Sequence, residues 1–284
     1  MGVKLVFEKE LFGKSMLIEL YSDEYMDEFV TADIVDGAYA EALRLQKIFN
    51  IYDASSELSV LNRKRKLSVS RELHKVLMDA LKLCKQTDGM YDISLGKNML
   101  QRKAGKELSK ISCSYMGIMV DGSDIKLMHP DILIDLGSIA KGYITDRIVE
   151  YLQYHGIMNG MIDSRGDIRF FGESVRDVGI QHPRIKSDII KTIRLKDESV
   201  ATSGDYNQYS KTFKKSHILN SKDVISATVV AKRLELADGL ATALFVCDSD
   251  ARKQLLKEYP DVMALTIDKD FNIEMYNGFE KILV

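Results

Sequence analysis

The spacing of apolar residues along the chain predicts a mixture of helices and short strands. Apolar side chains recur at helical spacing through residues 38–49, at Ala38, Ala42, Leu45 and Phe49. We expect that helix to end near Asn50, because turn-forming residues follow it. The apolar run at residues 16–21 predicts a strand before it.

The next helix has clearer ends. Ser70 is suited to cap it, Glu72 suits its first turn, and it should stop at residues 87–89 (TDG). Its predicted buried stripe is Leu73, Val76, Leu77, Ala80, Leu81 and Cys84. Further helices are expected at residues 137–154, ended by Gly156, and at residues 236–246 and 249–259.

Short β-like runs fill much of the remaining chain. They lie at residues 132–134, 160–163, 178–180, 189–195, 227–231, 263–267 and 271–275. Strands and helices are mixed without a regular βαβ repeat, which favours an α+β fold over a doubly wound sheet. No tandem repeat or Pro-rich linker divides the chain, and we expect residues 1–284 to form a single domain.

Composition narrows the functional classes. The 284 residues are 45% hydrophobic and carry a net charge of −2, which argues against a nucleic-acid-binding surface. The cysteines (Cys84, Cys113 and Cys247) form no CxxC pair and suggest no disulfide framework. No apolar stretch reaches the roughly 18 residues of a membrane helix. Charged residues interrupt residues 1–16, so we expect no signal peptide and a cytoplasmic location.

Residues 236–245 contain an acidic and a hydroxyl side chain on one helical face. Asp238 and Thr242 are four residues apart, and small residues surround them. The two side chains would supply oxygen ligands suited to Mg²⁺, with water or substrate phosphate completing its coordination. The alternative is structural: the aspartate caps the helix and the threonine bonds back to a carbonyl.

A second segment, residues 134–146, runs from Asp135 through a glycine-containing turn into a helix. Free N–H groups at a helix start suit a phosphate, and Lys141 lies one turn into the helix. The spacing of a Walker loop is absent. In a third segment, hydroxyl groups cluster at residues 202–203, and His217 is a candidate proton carrier or a structural histidine.

Read in order, these segments resemble the ApbE family of FAD:protein FMN transferases. The matching residues are 12–15 (FGKS), 52–62 (YDASSELSVLN), 89–92 (GMYD), 135–143 (DLGSIAKGY), 165–167 (RGD), 202–204 (TSG), 217–220 (HILN) and 237–243 (ADGLATA). They extend over about residues 12–267. Each motif is weak alone, but their shared order makes coincidence a poor explanation.

The resemblance implies roles for individual residues. Asp238 and Thr242 match metal-binding side chains, and Ser138 matches a position that lends its backbone carbonyl to the same Mg²⁺. The expected FAD contacts are Phe12 and Tyr52 at the adenine, Met90, Tyr91 and Asp92 in a further turn, Lys141 near the phosphates, and Ile218 beside the flavin. Asp135 is a further expected FAD-binding residue. His217 and Asp238 are the candidates for deprotonating the acceptor.

The chain also departs from the family pattern on the flavin side. Ser216 stands where the family has a second histidine, and residues 220–223 (NSKD) replace an Asp-Pro-x-Thr-Gly continuation. A Gly-Gly-Asp motif is replaced by Arg165, Gly166 and Asp167. The metal and nucleotide segments are intact, so the sequence supports FAD binding more strongly than transfer to a protein acceptor.

The resemblance therefore implies an α+β, T-fold-like protein of two intertwined subdomains, with mixed and antiparallel sheets, packed helices and FAD between them. The implied reaction is Mg²⁺-dependent transfer of FMN from FAD to a threonine of an acceptor protein, releasing AMP. Two alternatives are an Mg²⁺-dependent FAD pyrophosphatase and a non-catalytic FAD-binding or trafficking protein. The Asp238–Thr242 pair argues against the second alternative.

Overall fold

A computed structural model describes residues 3–11, 13–109, 112–185, 187–204 and 223–284. Its helices are α1 (Glu28–Phe49), α2 (Glu57–Lys64), α3 (Arg71–Gln86), α4 (Gly96–Lys103), α5 (Ala140–Tyr154), α6 (Leu234–Val246) and α7 (Ser249–Lys257). Single 3-10 turns form at Tyr115–Gly117 and Phe279–Ile282. Ser70 caps α3 as expected, because its hydroxyl accepts a hydrogen bond from the Leu73 N–H.

The strands begin with β1 (Val3–Leu11), β2 (Lys14–Ser22), β3 (Lys66–Ser68), β4 (Ile118–Asp121), β5 (Asp124–Leu127), β6 (Gly160–Ser164) and β7 (Asp167–Phe171). They continue with β8 (Val175–Gln181), β9 (Ile189–Lys196), β10 (Ser199–Gly204), β11 (Val224–Ala231), β12 (Met263–Asp268) and β13 (Ile273–Tyr276). The predicted α+β class is confirmed. The expectation of a single domain stays a prediction.

One large antiparallel sheet organises the described part of the chain. Its eight strands follow the order β1-β2-β6-β7-β10-β11-β12-β13. The smaller sheets are β3-β5-β4 and the hairpin β8-β9. In this sheet, β6, β7, β10 and β11 lie next to one another. Along the chain, α5 comes before these strands and α6 comes after them.

Strand β11 lies where the large sheet is buried on both faces. Ala227 and Val229 belong to the main core, which the helices cover, whereas Ile225 and Val230 belong to a second apolar cluster. That second cluster includes residues of β8 and β9 and of the 3-10 turn at Phe279–Ile282. Both faces of β11 are therefore covered, and all of its residues are buried, including Ser226 and Thr228.

Helix α1 begins ten residues before the predicted start. Asp27 caps it by accepting hydrogen bonds from the Phe29 and Val30 N–H groups. Phe29 and Val30 are exposed, which obscures the helical period in this half. Gly37 also weakens the pattern, but an ideal Cβ there would lie 2.3 Å from the Tyr151 hydroxyl oxygen, so glycine lets α1 pack on α5.

Two other boundaries were predicted wrongly. Residues 132–134 form no strand; Leu133 makes a single bridge with Leu95, and the Asn62 side chain takes the place of a neighbouring strand at Ile134. Helix α5 begins at Ala140 rather than at residue 137, because the Asp135 carboxylate accepts a hydrogen bond from Gly137 N–H and holds the preceding residues in a turn.

Among the described residues, none of the helices combines the length and the apolar character that crossing a membrane requires.

Candidate functional site

A cavity of about 620 Å³ opens between the helices and one end of the large sheet. It gathers residues from seven of the sequence motifs, which are far apart along the chain. The predicted site residues that line it are Tyr52, Met90, Tyr91, Asp92, Asp135, Ser138, Lys141, Asp238 and Thr242. Phe12, His217 and Ile218 lie outside the described residues, so their assignments stay predictions.

The turn that leads into α5 is held by a side chain from α2. Asn62 Nδ2 donates to the Ile134 carbonyl at 2.9 Å, and Ile134 N–H donates to Asn62 Oδ1 at 2.8 Å. This pair of hydrogen bonds imitates strand pairing. It fixes the backbone immediately before Asp135 and therefore positions Ser138 and Lys141.

Tyr91 supports the same turn from the opposite side. Its hydroxyl lies 2.7 Å from Ser138 Oγ, and its ring is buried. Burial raises the pKa of Tyr91 well above its ordinary value, so the phenol stays protonated and is available as a hydrogen-bond donor. The Ser138 side chain is thus occupied by Tyr91, which is consistent with a ligand role for its backbone carbonyl rather than its hydroxyl.

Asp238 projects from α6 toward the start of α5. Its Oδ2 accepts a hydrogen bond from the Gly142 N–H at 3.0 Å, in the first turn of α5, where backbone donors lack partners within the helix. Asp238 is only 5% exposed. Burial raises the pKa of Asp238, whereas Lys141 and the Gly142 N–H act in the opposite direction by favouring the carboxylate.

Lys141 lies between two carboxylates. Its Nζ contacts Asp167 Oδ2 on β7 and lies 3.9 Å from Asp238 Oδ1 on α6. Burial lowers the pKa of Lys141, and the charge of Asp238 opposes that shift. The site therefore places one ammonium group where the strand and both helices meet, next to the cavity.

Thr242 is oriented by the large sheet. Its hydroxyl lies 2.9 Å from Ser203 Oγ on β10. The neighbouring Thr202 N–H donates to Asp167 Oδ1 at 3.1 Å, so the carboxylate of Asp167 joins Lys141 to the end of β10. The hydroxyl cluster at residues 202–203 therefore supports the face of α6 that carries Asp238 and Thr242.

Helices α5 and α6 approach each other closely at this point. An ideal Cβ on Gly142 would lie 2.4 Å from the Leu234 carbonyl oxygen, so a side chain there would push α6 away. Asp146, one turn further along α5, accepts hydrogen bonds from the Leu234 and Glu235 N–H groups and so caps the start of α6. This junction sets the position of Asp238 relative to Lys141.

The donor set agrees with a magnesium site. Asp238 offers a carboxylate, Thr242 a hydroxyl and Ser138 a carbonyl, and all three residues line the cavity. No group of three His, Cys, Asp or Glu side chains suited to a metal occurs in the part of the chain that the structure describes. A single carboxylate with neutral oxygens fits a cation that keeps water and takes substrate phosphate.

The aromatic side of the cavity is far more exposed. Tyr52 follows α1 and is 63% exposed. Lys103, at the end of α4, donates a hydrogen bond from Nζ to the Tyr52 hydroxyl at 2.7 Å. Met90 and Met99 also line the cavity. An exposed aromatic ring beside flexible apolar side chains is suited to stack on a planar base.

Asp92 has a more structural role than the resemblance implied. Its two carboxylate oxygens accept hydrogen bonds from the Ser94 and Tyr115 N–H groups, at 2.8 and 3.1 Å. It therefore fixes the turn that carries Met90 and Tyr91. A direct contact between Asp92 and FAD stays a prediction.

The cavity residues to which sequence reasoning assigned no role include Lys103, Arg165, Asp167 and Ser203. Arg165 and Asp167 lie in a motif that departs from the family pattern, and Ser203 lies in the recognised TSG motif. These RGD and TSG motifs are the sequence features from which roles for Arg165, Asp167 and Ser203 could have been predicted. Nothing in the sequence near Lys103 indicates that α4 would reach Tyr52.

Comparison with known proteins points to the same family as the sequence motifs. The model of the ApbE family matches residues 12–266. A curated relative from Vibrio cholerae, named FAD:protein FMN transferase, is 27% identical over 265 residues, covering 82% of this chain and 79% of the relative. A relative of the same name from Haemophilus influenzae is 25% identical and covers 96% of this chain and 90% of its own length.

Solved structures agree on the fold. The flavin transferase ApbE from Vibrio cholerae superposes with a TM-score of 0.83 at 23% identity, covering 100% of both chains. The ApbE protein from Thermotoga maritima gives a TM-score of 0.84 at 23% identity, covering 99% of both chains. The α+β fold expected from the resemblance is therefore shared over nearly the whole length.

Proposed function

Since this chain belongs to the ApbE family, we propose that it transfers FMN from FAD to an acceptor protein. We further propose that the reaction requires Mg²⁺, modifies a threonine of the acceptor and releases AMP. The relatives named FAD:protein FMN transferase support the flavin transfer. The donor chemistry of the cavity supports the metal requirement.

One observation carries the proposal. Lys141, Asp238 and Thr242, from two helices, line the same cavity as Tyr52. A cation, a carboxylate and a hydroxyl suit the pyrophosphate of FAD, and an aromatic ring suits its adenine. A cavity of about 620 Å³ lies within the size range typical of small-molecule sites.

Different residues of the chain would bind different parts of FAD and the metal ion. Lys141 would contact the phosphates, and Tyr52 would stack on the adenine. Asp238, Thr242 and the Ser138 carbonyl would hold Mg²⁺, which when bound neutralises negative charge on the pyrophosphate. Met90 and Tyr91 would line the nucleotide pocket, with Phe12 and Ile218 proposed as further contacts.

The acceptor hydroxyl would attack the FMN phosphorus, so that a phosphoester bond to FMN forms and the bond to AMP breaks. The hydroxyl proton must leave during the attack. We propose His217 as the base that takes it, with Asp238 as the alternative.

The test incubates the protein with FAD and Mg²⁺, with and without a candidate acceptor, and follows AMP by chromatography and acceptor-bound flavin by in-gel fluorescence. We expect AMP release that needs Mg²⁺ and is matched by flavin on the acceptor. AMP and free FMN in equal amounts, with no labelled acceptor, would instead identify a pyrophosphatase. FAD binding without AMP release would identify a non-catalytic binder.

A further inference from the structure

Arg165 occupies a backbone conformation that favours smaller residues. It has φ of 66° and is followed by Gly166 with φ of 91°. These two residues form the turn between β6 and β7, where Ser164 pairs with Asp167. Two-residue hairpin turns with positive φ at both positions strongly prefer Asn and Gly. The motif that this segment resembles has glycine at both positions, so the fold itself does not explain the arginine.

The turn presents Arg165 to the cavity. Arg165 lines it together with Ser138, Lys141 and Asp238. The turn is anchored because Gly166 N–H donates to Asp163 Oδ1 at 2.7 Å. Asp167, the strand residue that follows, contacts Lys141. The positive charge of Arg165 contributes to lowering the pKa of Lys141, which agrees with this proximity.

The charges around Lys141 are unbalanced. Asp167 and Asp238 both lie beside the Lys141 ammonium, so two negative charges face its single positive charge. A pyrophosphate brings further negative charge into the same region. A guanidinium group presents a planar set of N–H donors that matches phosphate oxygens, and it keeps its charge when partly buried.

We propose that Arg165 is a substrate-binding residue that contacts the pyrophosphate of FAD beside Lys141. This inference rests on the proposed function, in which FAD is the substrate. A ligand contact then gives the strained conformation a physical reason, because backbone strain is concentrated at sites that bind ligands.

Three variants separate charge from backbone strain. Arg165→Asn removes the charge and tolerates positive φ, Arg165→Lys keeps the charge, and Arg165→Gly adopts the favoured conformation without a side chain. FAD affinity is measured by fluorescence quenching with EDTA present, so that turnover does not interfere. We expect Arg165→Asn and Arg165→Gly to raise the Kd about tenfold and Arg165→Lys to raise it less than about threefold.

ADP identifies the part of FAD that Arg165 contacts, because it carries the pyrophosphate and lacks the flavin. We expect Arg165→Asn to weaken ADP competition by a factor similar to its effect on FAD. A loss for FAD with unchanged ADP binding would move the contact to the flavin half and overturn the proposal. Equal Kd values for Arg165→Lys and Arg165→Asn would also overturn it, because charge would then be irrelevant.

Thermal unfolding without ligand provides an independent readout. We expect Arg165→Gly to raise the melting temperature by about 2 °C, since glycine relieves the left-handed strain. A lower melting temperature would show that the arginine is structural and would contradict the proposal. If the wild-type protein binds FAD and all three variants bind it equally, this inference fails alone. If the wild-type protein does not bind FAD, the proposed function fails as well.

Discussion

The two sides of the cavity are built in different ways. The polar cluster (Ser138, Lys141, Asp167, Asp238 and Thr242) is buried or half-buried, and its hydrogen bonds and ion contacts link β7, β10, α5 and α6. The exposed pair (Tyr52 and Lys103) is joined by one hydrogen bond at the surface. Chemistry on a phosphate needs fixed charges, whereas stacking on a base tolerates small displacements.

The contrast also separates the energetic consequences of substitution. A change in the polar cluster leaves another polar or charged atom without its partner, and at the buried residues Asp167 and Asp238 this costs more than the contact itself is worth. A change in the exposed pair leaves atoms that water can satisfy. We therefore expect large effects on turnover from the first group and modest effects on affinity from the second.

The largest effect is expected for Asp238→Asn. The amide oxygen can still accept from Gly142 N–H, so the fold should survive, but the proposed cation loses its carboxylate ligand. We expect Mg²⁺-dependent AMP release to fall at least about 100-fold. Asp33→Asn, on the exposed face of α1, is the matched control and should keep the wild-type rate. A variant that turns over FAD at the wild-type rate would remove Asp238 from the metal site.

Lys141→Met should have the next largest effect. The substitution preserves length but removes the ammonium proposed to contact the phosphates, and we expect the Kd for FAD to rise about 10- to 100-fold. Riboflavin, which has no phosphate, should lose much less affinity in a fluorescence titration. Lys85→Met, at an exposed position of α3, serves as the control. Equal losses for FAD and riboflavin would place Lys141 away from the phosphates.

Asn62→Ala tests how the turn before α5 is supported. It removes both hydrogen bonds to Ile134, and we expect the free energy of unfolding to fall by about 2 kcal/mol. Urea unfolding measures this change, with Asn62→Asp as a comparison that keeps the acceptor but loses the donor. If Asn62→Ala is as stable as the wild type, the backbone around Ile134 is held by other contacts and the proposed support is wrong.

Tyr52→Ala should have the smallest effect. We expect it to weaken FAD binding by about 1 kcal/mol, at the low end for base stacking because the ring is exposed. Tyr52→Phe keeps the ring and loses only the hydrogen bond with Lys103, so its FAD titration should be close to that of the wild type. A loss in Tyr52→Phe as large as in Tyr52→Ala would show that the hydroxyl, and not the ring, is the binding element.

The sequence predicted contacts along one helix better than contacts between elements. The spacing of Asp238 and Thr242 placed both on one face of α6 because helical period is local. The contact between Lys141 and Asp167 depends on how α5 packs beside β7, which no local pattern specifies. The same limit applies to Asn62, whose hydrogen bonds to Ile134 join residues 72 positions apart.

The helix boundaries show the same difference between local signals, which the sequence reveals, and contacts that it does not. Ser70 was identified as a cap because the signal lies within one turn of α3. The start of α5 was predicted too early, since an aspartate two residues before a glycine can begin either a helix or a turn, and here the Asp135 carboxylate accepts a hydrogen bond from Gly137 N–H. The resemblance identified Tyr52, Lys141, Asp238 and other residues that line the cavity. It did not indicate that the Asp92 carboxylate would accept hydrogen bonds from backbone N–H groups.

The central claim is that the cavity moves FMN from FAD to a protein hydroxyl with the help of a cation held by Asp238. The most direct measurement is mass spectrometry of a threonine-bearing acceptor after incubation with FAD and Mg²⁺, using the wild-type protein and Asp238→Asn. We predict FMN attached to the acceptor threonine by the wild type, and none when EDTA or the variant is used. Conversion of FAD to AMP and free FMN with an unmodified cognate acceptor, or equal labelling by Asp238→Asn, would contradict the account.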